Sequence, residues 1–175
     1  FLASPGDAGA GDISWNATAP LATLSLAFSK GARGEFKDRA RAALTRTADR
    51  FAAEAASDGY GAPFVRAHVW GSNADLANRG LVLAAAFETT GDPRYRAAVV
   101  SIADILLGRN PLGRSYISGY GARPMEKPHH RFFARSLDQS YPPPPPGFLS
   151  GGPNKDSPGE DIARALAKTC APQAC

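Results

Sequence analysis

The residues best suited to chemistry lie in a stretch rich in Gly and Pro in the second half of the chain. Residues 115–121 read Ser-Tyr-Ile-Ser-Gly-Tyr-Gly, and residues 129–131 read His-His-Arg. Imidazole and guanidinium groups donate hydrogen bonds to ring hydroxyls, and Tyr or Trp faces stack on sugar rings. Among the chemical interpretations, these residue types fit a polar and aromatic cleft that binds carbohydrate best. Composition alone favours the alternative, an ordinary surface loop with solvated histidines.

Two other kinds of site fit these residues poorly. The adjacent His129 and His130 are badly placed to aim both rings at one ion, so we expect no metal site here. No Gly-x-Ser-x-Gly elbow or His-paired cysteine indicates a catalytic nucleophile. Cys170 and Cys175 have no neighbouring ligands that would complete a zinc site. Pro172 between them is compatible with a small-loop disulfide, and two free thiols are the alternative.

Charge and hydropathy disfavour two classes of partner. The sequence has 20 Lys and Arg against 16 Asp and Glu, a net charge of +4. The basic residues are scattered between acidic ones, whereas a nucleic-acid binder concentrates them on one face. No apolar run approaches the roughly 20 residues that a membrane-spanning helix needs. The sequence therefore predicts neither nucleic-acid binding nor membrane insertion.

The elements that position the polar residues are predicted to be helices. Apolar residues recur at three- and four-residue steps over residues 34–57, and charged residues lie on the opposite face. No stretch alternates apolar and polar residues as a half-buried strand does, so the predicted fold class is all-α. Comparable patterns predict four further helices, over about 20–30, 73–90, 93–107 and 158–169.

Boundary residues refine this prediction. Asp92 is a natural N-cap, Pro93 suits the first helical position, and Gly108 suits a C-cap. The short connection after Gly91 predicts an antiparallel helical hairpin. Residues 109–157 show no regular pattern, and a loop of that length in a compact domain is typically functional. In the first helix the predicted buried face consists of Leu21, Leu24 and Phe28.

The loop carries a motif that resembles the first signature of family-nine glycoside hydrolases, the cellulases and related β-glucanases. That signature is a hydroxyl residue, a spaced Gly, a basic residue and then Pro-His-x-Arg. Here it reads Ser118, Gly121, Arg123 and residues 128–131. The spacing is the family's throughout.

Two further segments extend the resemblance. Residues 146–154 are similar to the family's segment ending in Gly-Gly-Pro-Asn. Residues 70–73, Trp-Gly-Ser-Asn, resemble the family's Trp-Gly-Ser segment, which opens a barrel helix. The three motifs are collinear and cover about residues 60–175.

The resemblance implies an (α/α)6 barrel, in which six helical hairpins form a toroid with the cleft at one end. Residues 1–175 would be the C-terminal portion of one catalytic domain, with no separate second domain. The resemblance also implies that His129 is the active-site histidine, that Arg131 binds substrate, and that Trp70 is a stacking platform in the cleft. A buried core position is the alternative for Trp70. The implied substrate is cellulose or a cello-oligosaccharide, with no required cofactor and with calcium as an optional ion.

The family inverts the anomeric centre, using an Asp base and a Glu acid about 6.5–9.5 Å apart. Asp7 and Asp12 resemble the family's Asp-Ala-Gly-Asp base motif, but they lie too close to Trp70 in the sequence. Glu160 comes too early for the acid, and with Ser157 it matches a capping box. Both catalytic carboxylates are therefore expected outside this chain.

The remainder of the same catalytic domain is accordingly the expected protein partner, and the chain alone is expected to be inactive. A polymeric substrate and the paired cysteines favour secretion. The alternative function is a non-catalytic helical module that binds glycans or stabilises a partner.

Overall fold

The architecture is helical. A computed structural model describes residues 11–64, 70–128, 130–135 and 138–153. Within these ranges there is no strand, and the only extended pairings are the isolated bridges Ser14 to Ala17 and Ile117 to Leu149. The predicted all-α class is therefore confirmed. The helices are α1 (Ala19–Phe28), α2 (Gly34–Ser57), α3 (Ser72–Thr90) and α4 (Pro93–Leu107).

Some of the predicted features lie outside the described residues. They are the helix over 158–169, with its capping box, and the two cysteines. None of the described helices is both long and apolar enough to cross a membrane. The chain divides into two compact units, Phe1–Val65 with Asp75–Ile102 and Arg66–Ala74 with Ala103–Cys175.

In the first unit the long helix α2 buries the stripe that the sequence predicted. Its apolar residues recur on one face, and Phe51 and Leu44 are almost fully buried. The opposite face is charged and solvated. The stripe predicted from the spacing is Phe36, Ala40, Leu44, Thr47, Phe51 and Ala55. All of these residues are buried except Phe36, which is half-buried.

The predicted buried face of α1 is wrong. Leu21 is 41% exposed and Phe28 46% exposed, while the buried residues are Pro20, Thr23 and Ala27. Helix α1 packs against α2, and the Arg41 guanidinium donates to the Ala27 carbonyl at 3.2 Å. Small side chains let two helix backbones approach closely, so this contact selects the small residues rather than the largest apolar ones.

The α3–α4 connection follows the predicted capping. Gly91 has φ +73°, which a residue with a side chain rarely adopts, and its amide donates to the Phe87 carbonyl at 2.7 Å. Asp92 Oδ1 accepts a hydrogen bond from the Arg94 amide at 2.9 Å, as an N-cap does. The two helices touch at Gly80, where an added Cβ would meet the Ile102 side chain at 3.6 Å.

A buried ion-pair cluster centred on Arg79 holds the rest of this unit together. The Arg79 side chain is 7% exposed, and it binds Asp12 in a bidentate manner at 2.7 and 3.1 Å and Glu54 at 2.6 Å. It also donates to the Pro63 carbonyl and lies over the Phe51 ring at 4.6 Å. Five donors in a rigid fork suit guanidinium to this role. Arg79 thereby joins the chain before α1, helix α2 and helix α3.

The same cluster affects a neighbouring carboxyl group. Burial raises the pKa of Asp75, the Asp12 carboxylate raises it further, and the Arg79 guanidinium opposes both effects. Negative charge is thus concentrated around a single buried cation.

Replacing that cation should destabilise the protein. We expect Arg79→Met to lower the free energy of unfolding by about 3 kcal/mol, because it leaves the part-buried Asp12 and Glu54 with only the half-exposed Arg50 as an ion-pair partner among the described residues. Arg39→Met, on the exposed face of α2, should change it by less than about 0.5 kcal/mol. Urea denaturation of the full protein measures both. Equal small effects would show that the cluster adds nothing to stability.

Because Tyr95 is buried, we expect the free energy of unfolding to change with pH. The Tyr95 hydroxyl donates to Asp49 Oδ1 at 2.8 Å, and burial together with that bond raises the pKa of Tyr95 from 10.0 to about 12. The folded state therefore holds the proton more tightly than the unfolded state. Its stabilisation is complete below pH 10 and is lost as the pH rises to about 12. Tyr95→Phe should reduce this loss, as measured by thermal melts between these pH values.

Candidate functional site

Two of the family-like segments are hydrogen-bonded to each other in the second unit. At the start of α3, the Asn73 amide donates to the Gly151 carbonyl at 3.1 Å, and Asn73 Nδ2 donates to the Ser150 carbonyl at 3.1 Å. The Ser72 hydroxyl donates to the Pro153 carbonyl at 2.6 Å. Ser72 and Asn73 are 1% and 2% exposed. These contacts attach residues 150–153 to the helix start, and we call the arrangement the helix-start clamp.

The clamp leaves no room for a side chain at Gly152. Its φ is +93°, and an added Cβ would lie 2.6 Å from both Asn73 Cγ and Ser72 Oγ. Both the backbone conformation and the space therefore require glycine at this position. The neighbouring Gly151 has nothing within 4 Å of an added Cβ, so only the second glycine of the pair is required by the contact.

The middle of the long loop is anchored through Ser118. Its amide donates to the Phe148 carbonyl at 3.0 Å, and its carbonyl accepts from the Gly147 amide at 2.8 Å. Its hydroxyl accepts from the Phe148 amide at 2.9 Å and donates to the Pro145 carbonyl. Ser118 was predicted as the hydroxyl residue of the signature, and the structure assigns it this scaffolding contact.

The same loop is joined to the end of α4. The Tyr116 amide donates to the Leu106 carbonyl at 2.8 Å, and the Tyr116 carbonyl accepts from the Ser150 amide at 2.9 Å. Tyr116 is 5% exposed, and burial raises the pKa of its hydroxyl. Gly121 has φ +85°, and an added Cβ would lie 2.8 Å from the Leu107 carbonyl oxygen. Residues 115–118 and 147–150 thus form a pair of segments fixed to α4, which we call the paired loop.

The predicted substrate-binding residues are exposed. Trp70 is 61% exposed, which argues against the alternative of a buried core tryptophan. Arg131 is also exposed, and within the described residues its guanidinium has no hydrogen-bond or ion-pair partner. His129 lies outside the described residues. The roles of Trp70, Arg131 and His129 in binding or catalysis stay predictions.

His130 lies within the described residues, and its ring contacts other residues of the chain. Its Nδ1 accepts hydrogen bonds from the amides of Phe132 and Phe133, at 3.1 and 3.2 Å. Its ring stacks on Phe133, with 4.6 Å between centroids and 23° between planes. It meets the Phe148 ring edge-on at 5.3 Å. Phe148 belongs to the paired loop, so residues 130–133 are connected to it through aromatic contacts.

Of Asp7, Asp12 and Glu160, only Asp12 lies within the described residues. Both oxygens of Asp12 accept hydrogen bonds from Arg79. That Asp12 is not the family's base stays a prediction. Asp7 lies outside the described residues, as does Glu160. In the described ranges, no group of three His, Cys, Asp or Glu side chains is placed to hold a metal ion.

Comparison with known proteins gives the class to which this fold and these motifs belong. The model of the family described as "Glycosyl hydrolase family 9" matches residues 3–169. The chain belongs to this family. Its helices are part of the (α/α)6 barrel of the family's enzymes.

Individual relatives agree with this family assignment. The chain is 34% identical over 172 residues to a cellulose 1,4-beta-cellobiosidase of Acetivibrio thermocellus, covering 94% of this chain and 19% of that protein. It is 38% identical over 166 residues to endoglucanase C of Cellulomonas fimi, covering 92% and 15%. The crystal structure of the family 9 endoglucanase J30 superposes with a TM-score of 0.76 at 28% identity, covering 94% of this chain and 30% of that one. The chain thus spans less than a third of each of these proteins.

Sequence reasoning identified the motifs but missed the residues that join them. Asn73 and Ser72 appeared only as the end of a Trp-Gly-Ser-Asn segment, and Ser150 only as part of the Gly-Gly-Pro segment. A signal was present, since a Gly-Gly pair beside a Pro indicates backbone that approaches something closely. The sequence did not show what it approaches.

The helix-start clamp gives a sharp test with a matched control. Gly152→Ala should lower the free energy of unfolding by about 2–4 kcal/mol, from the strained φ and the contacts with Ser72 and Asn73. Gly151→Ala should change it by less than about 0.5 kcal/mol. Denaturation of the full protein measures both variants. If the two variants were equally stable, the clamp as described would be wrong.

Proposed function

We propose that this chain forms one part of the catalytic domain of a β-1,4-glucanase that hydrolyses cellulose or a related β-glucan. The observation that carries the proposal is the exposed Arg131 guanidinium in the family's Pro-His-x-Arg motif, without a protein partner among the described residues. A buried or ion-paired arginine would have little capacity left for a ligand. An exposed guanidinium offers five donors to sugar hydroxyls.

In this proposal the chain binds and orients the sugar. Arg131 and His129 donate hydrogen bonds to hydroxyls near the scissile bond, and the exposed face of Trp70 stacks on a sugar ring. Such contacts lower the barrier when they hold the glycosidic bond in line with the catalytic groups. The helix-start clamp supports this function because it fixes the backbone that directly follows Trp70.

The proton transfers belong to other parts of the domain. Asp12 lies too close to Trp70 in the sequence to be the family's base, and no described residue matches the family's catalytic Glu. An inverting mechanism needs a base that activates water and an acid that protonates the leaving oxygen. We therefore place both carboxylates in the remainder of the catalytic domain, which is the expected protein partner.

Three further properties complete the proposal. The enzyme is secreted, because a polymeric glucan is met outside the cell. No cofactor is required by a mechanism that uses two carboxylates and water. Calcium is compatible with the proposal as a structural ion. Neither nucleic acid nor a membrane is a proposed partner.

The test is hydrolysis of cello-oligosaccharides by the full protein. Arg131→Ala should lower kcat/KM by about ten- to a hundredfold, as expected for a charged hydrogen bond to substrate. His129→Ala should cut turnover strongly. Lys127→Ala, an exposed cation nearby in the sequence, serves as the control and should be unchanged.

The outcomes separate the two functions considered. A product released as the opposite anomer, followed by NMR, supports inverting hydrolysis. A full protein that binds cello-oligosaccharides in calorimetry and never cleaves them would instead be the non-catalytic glycan-binding module. Unchanged activity of both His129→Ala and Arg131→Ala would remove these residues from the site.

A further inference from the structure

His130 lies between the two residues that the family motif singles out, yet the motif leaves it unspecified. Its ring nitrogen Nδ1 accepts from two consecutive backbone amides, those of Phe132 and Phe133, at 3.1 and 3.2 Å. An imidazole nitrogen that accepts hydrogen bonds carries no proton of its own, so the ring proton of the neutral form is on Nε2. The His130 side chain thereby closes the turn that contains Arg131.

The ring that closes this turn is itself held in place. It stacks on Phe133 at 4.6 Å and meets Phe148 edge-on at 5.3 Å, and these two phenyl rings meet edge-on at 5.6 Å. Such arrangements are the favourable ones for aromatic pairs. Phe148 is bonded through its backbone amide and carbonyl to Ser118. An unbroken series of contacts therefore runs from the paired loop to the turn around Arg131.

We propose that His130 is a positioning residue for substrate binding by Arg131. Its Nδ1 fixes the backbone on the C-terminal side of Arg131, and its ring transfers the rigidity of the paired loop to that backbone. The inference rests on the proposed function only for the role of Arg131. The hydrogen bonds and stacking that carry it are properties of the folded chain.

The alternative is that His130 binds sugar directly through Nε2, because the side chain is exposed. The two roles need different atoms. Asn keeps an acceptor oxygen near the position of Nδ1 and has no group at Nε2. Phe keeps the aromatic ring and has no acceptor. His130→Asn and His130→Phe therefore separate the acceptor from the ring, and His130→Ala removes both.

The first experiment needs no activity. Amide hydrogen exchange at residues 132 and 133 in the full protein should become faster in His130→Ala and His130→Phe, and it should stay close to the original rate in His130→Asn. The expected change is about tenfold, because the acceptor for both amides is gone. Unchanged exchange in His130→Ala would overturn the proposal whatever the enzyme does.

The second experiment measures kcat/KM on cello-oligosaccharides. His130→Phe and His130→Ala should lose about tenfold or more, since misplacing a substrate-binding group costs that much, and His130→Asn should retain most activity. On an Arg131→Ala background the loss from His130→Phe should shrink to less than about twofold, because the two residues act as one unit.

Two results would overturn the positioning role of His130. A full loss in His130→Asn would indicate a direct contact through Nε2, and a full loss on the Arg131→Ala background would show that His130 acts independently of Arg131. If the proposed glucanase function is wrong, the experiments give a different pattern of results. In that case the unsubstituted full protein cleaves no β-glucan, while the exchange experiment still reports whether His130 closes the turn.

Discussion

Backbone hydrogen bonding to buried polar side chains is the constraint on which the second unit depends. A segment with neither helix nor strand has no ladder to satisfy its amides and carbonyls, and leaving them buried and unpaired is costly. Side chains supply some of the partners, and backbone groups of the facing segment supply others. The Ser118 hydroxyl makes two hydrogen bonds with residues 145–148 and the Ser118 backbone makes two more. Asn110 accepts from Leu112 while donating to the carbonyls of Ile105 and Arg114.

This constraint helps to explain why the loop is rich in small polar residues and glycines. Where a segment lies close to a backbone or to a side chain bonded to backbone, it can leave no space for a Cβ. Gly121 against the Leu107 carbonyl and Gly152 against Asn73 show this directly. Tyr116 and Met125 are buried in this unit, whereas Trp70 and Phe132 are left exposed. A rigid backbone that presents exposed aromatic groups is well suited to ligand binding.

Local sequence patterns were enough to predict those features that depend on residues close together in the chain. The stripe of α2 and the cap at Asp92 were predicted correctly, because each depends on residues within a few positions of one another. The face of α1 was predicted wrongly, because the sequence ranks Leu21 and Phe28 by hydrophobicity, whereas contact with α2 selects small residues. The helix-start clamp could not be predicted without the family resemblance, since Ser72 and Pro153 meet only in the folded chain.

The buried cluster of the first unit shows how an ion pair gives a carboxylate a structural role. The two oxygens of Asp12 accept hydrogen bonds from Arg79 Nε and Nη2. Removing this carboxylate would leave a nearly buried cation without part of its compensation. The ion pair therefore makes Asp12 part of what stabilises the first unit.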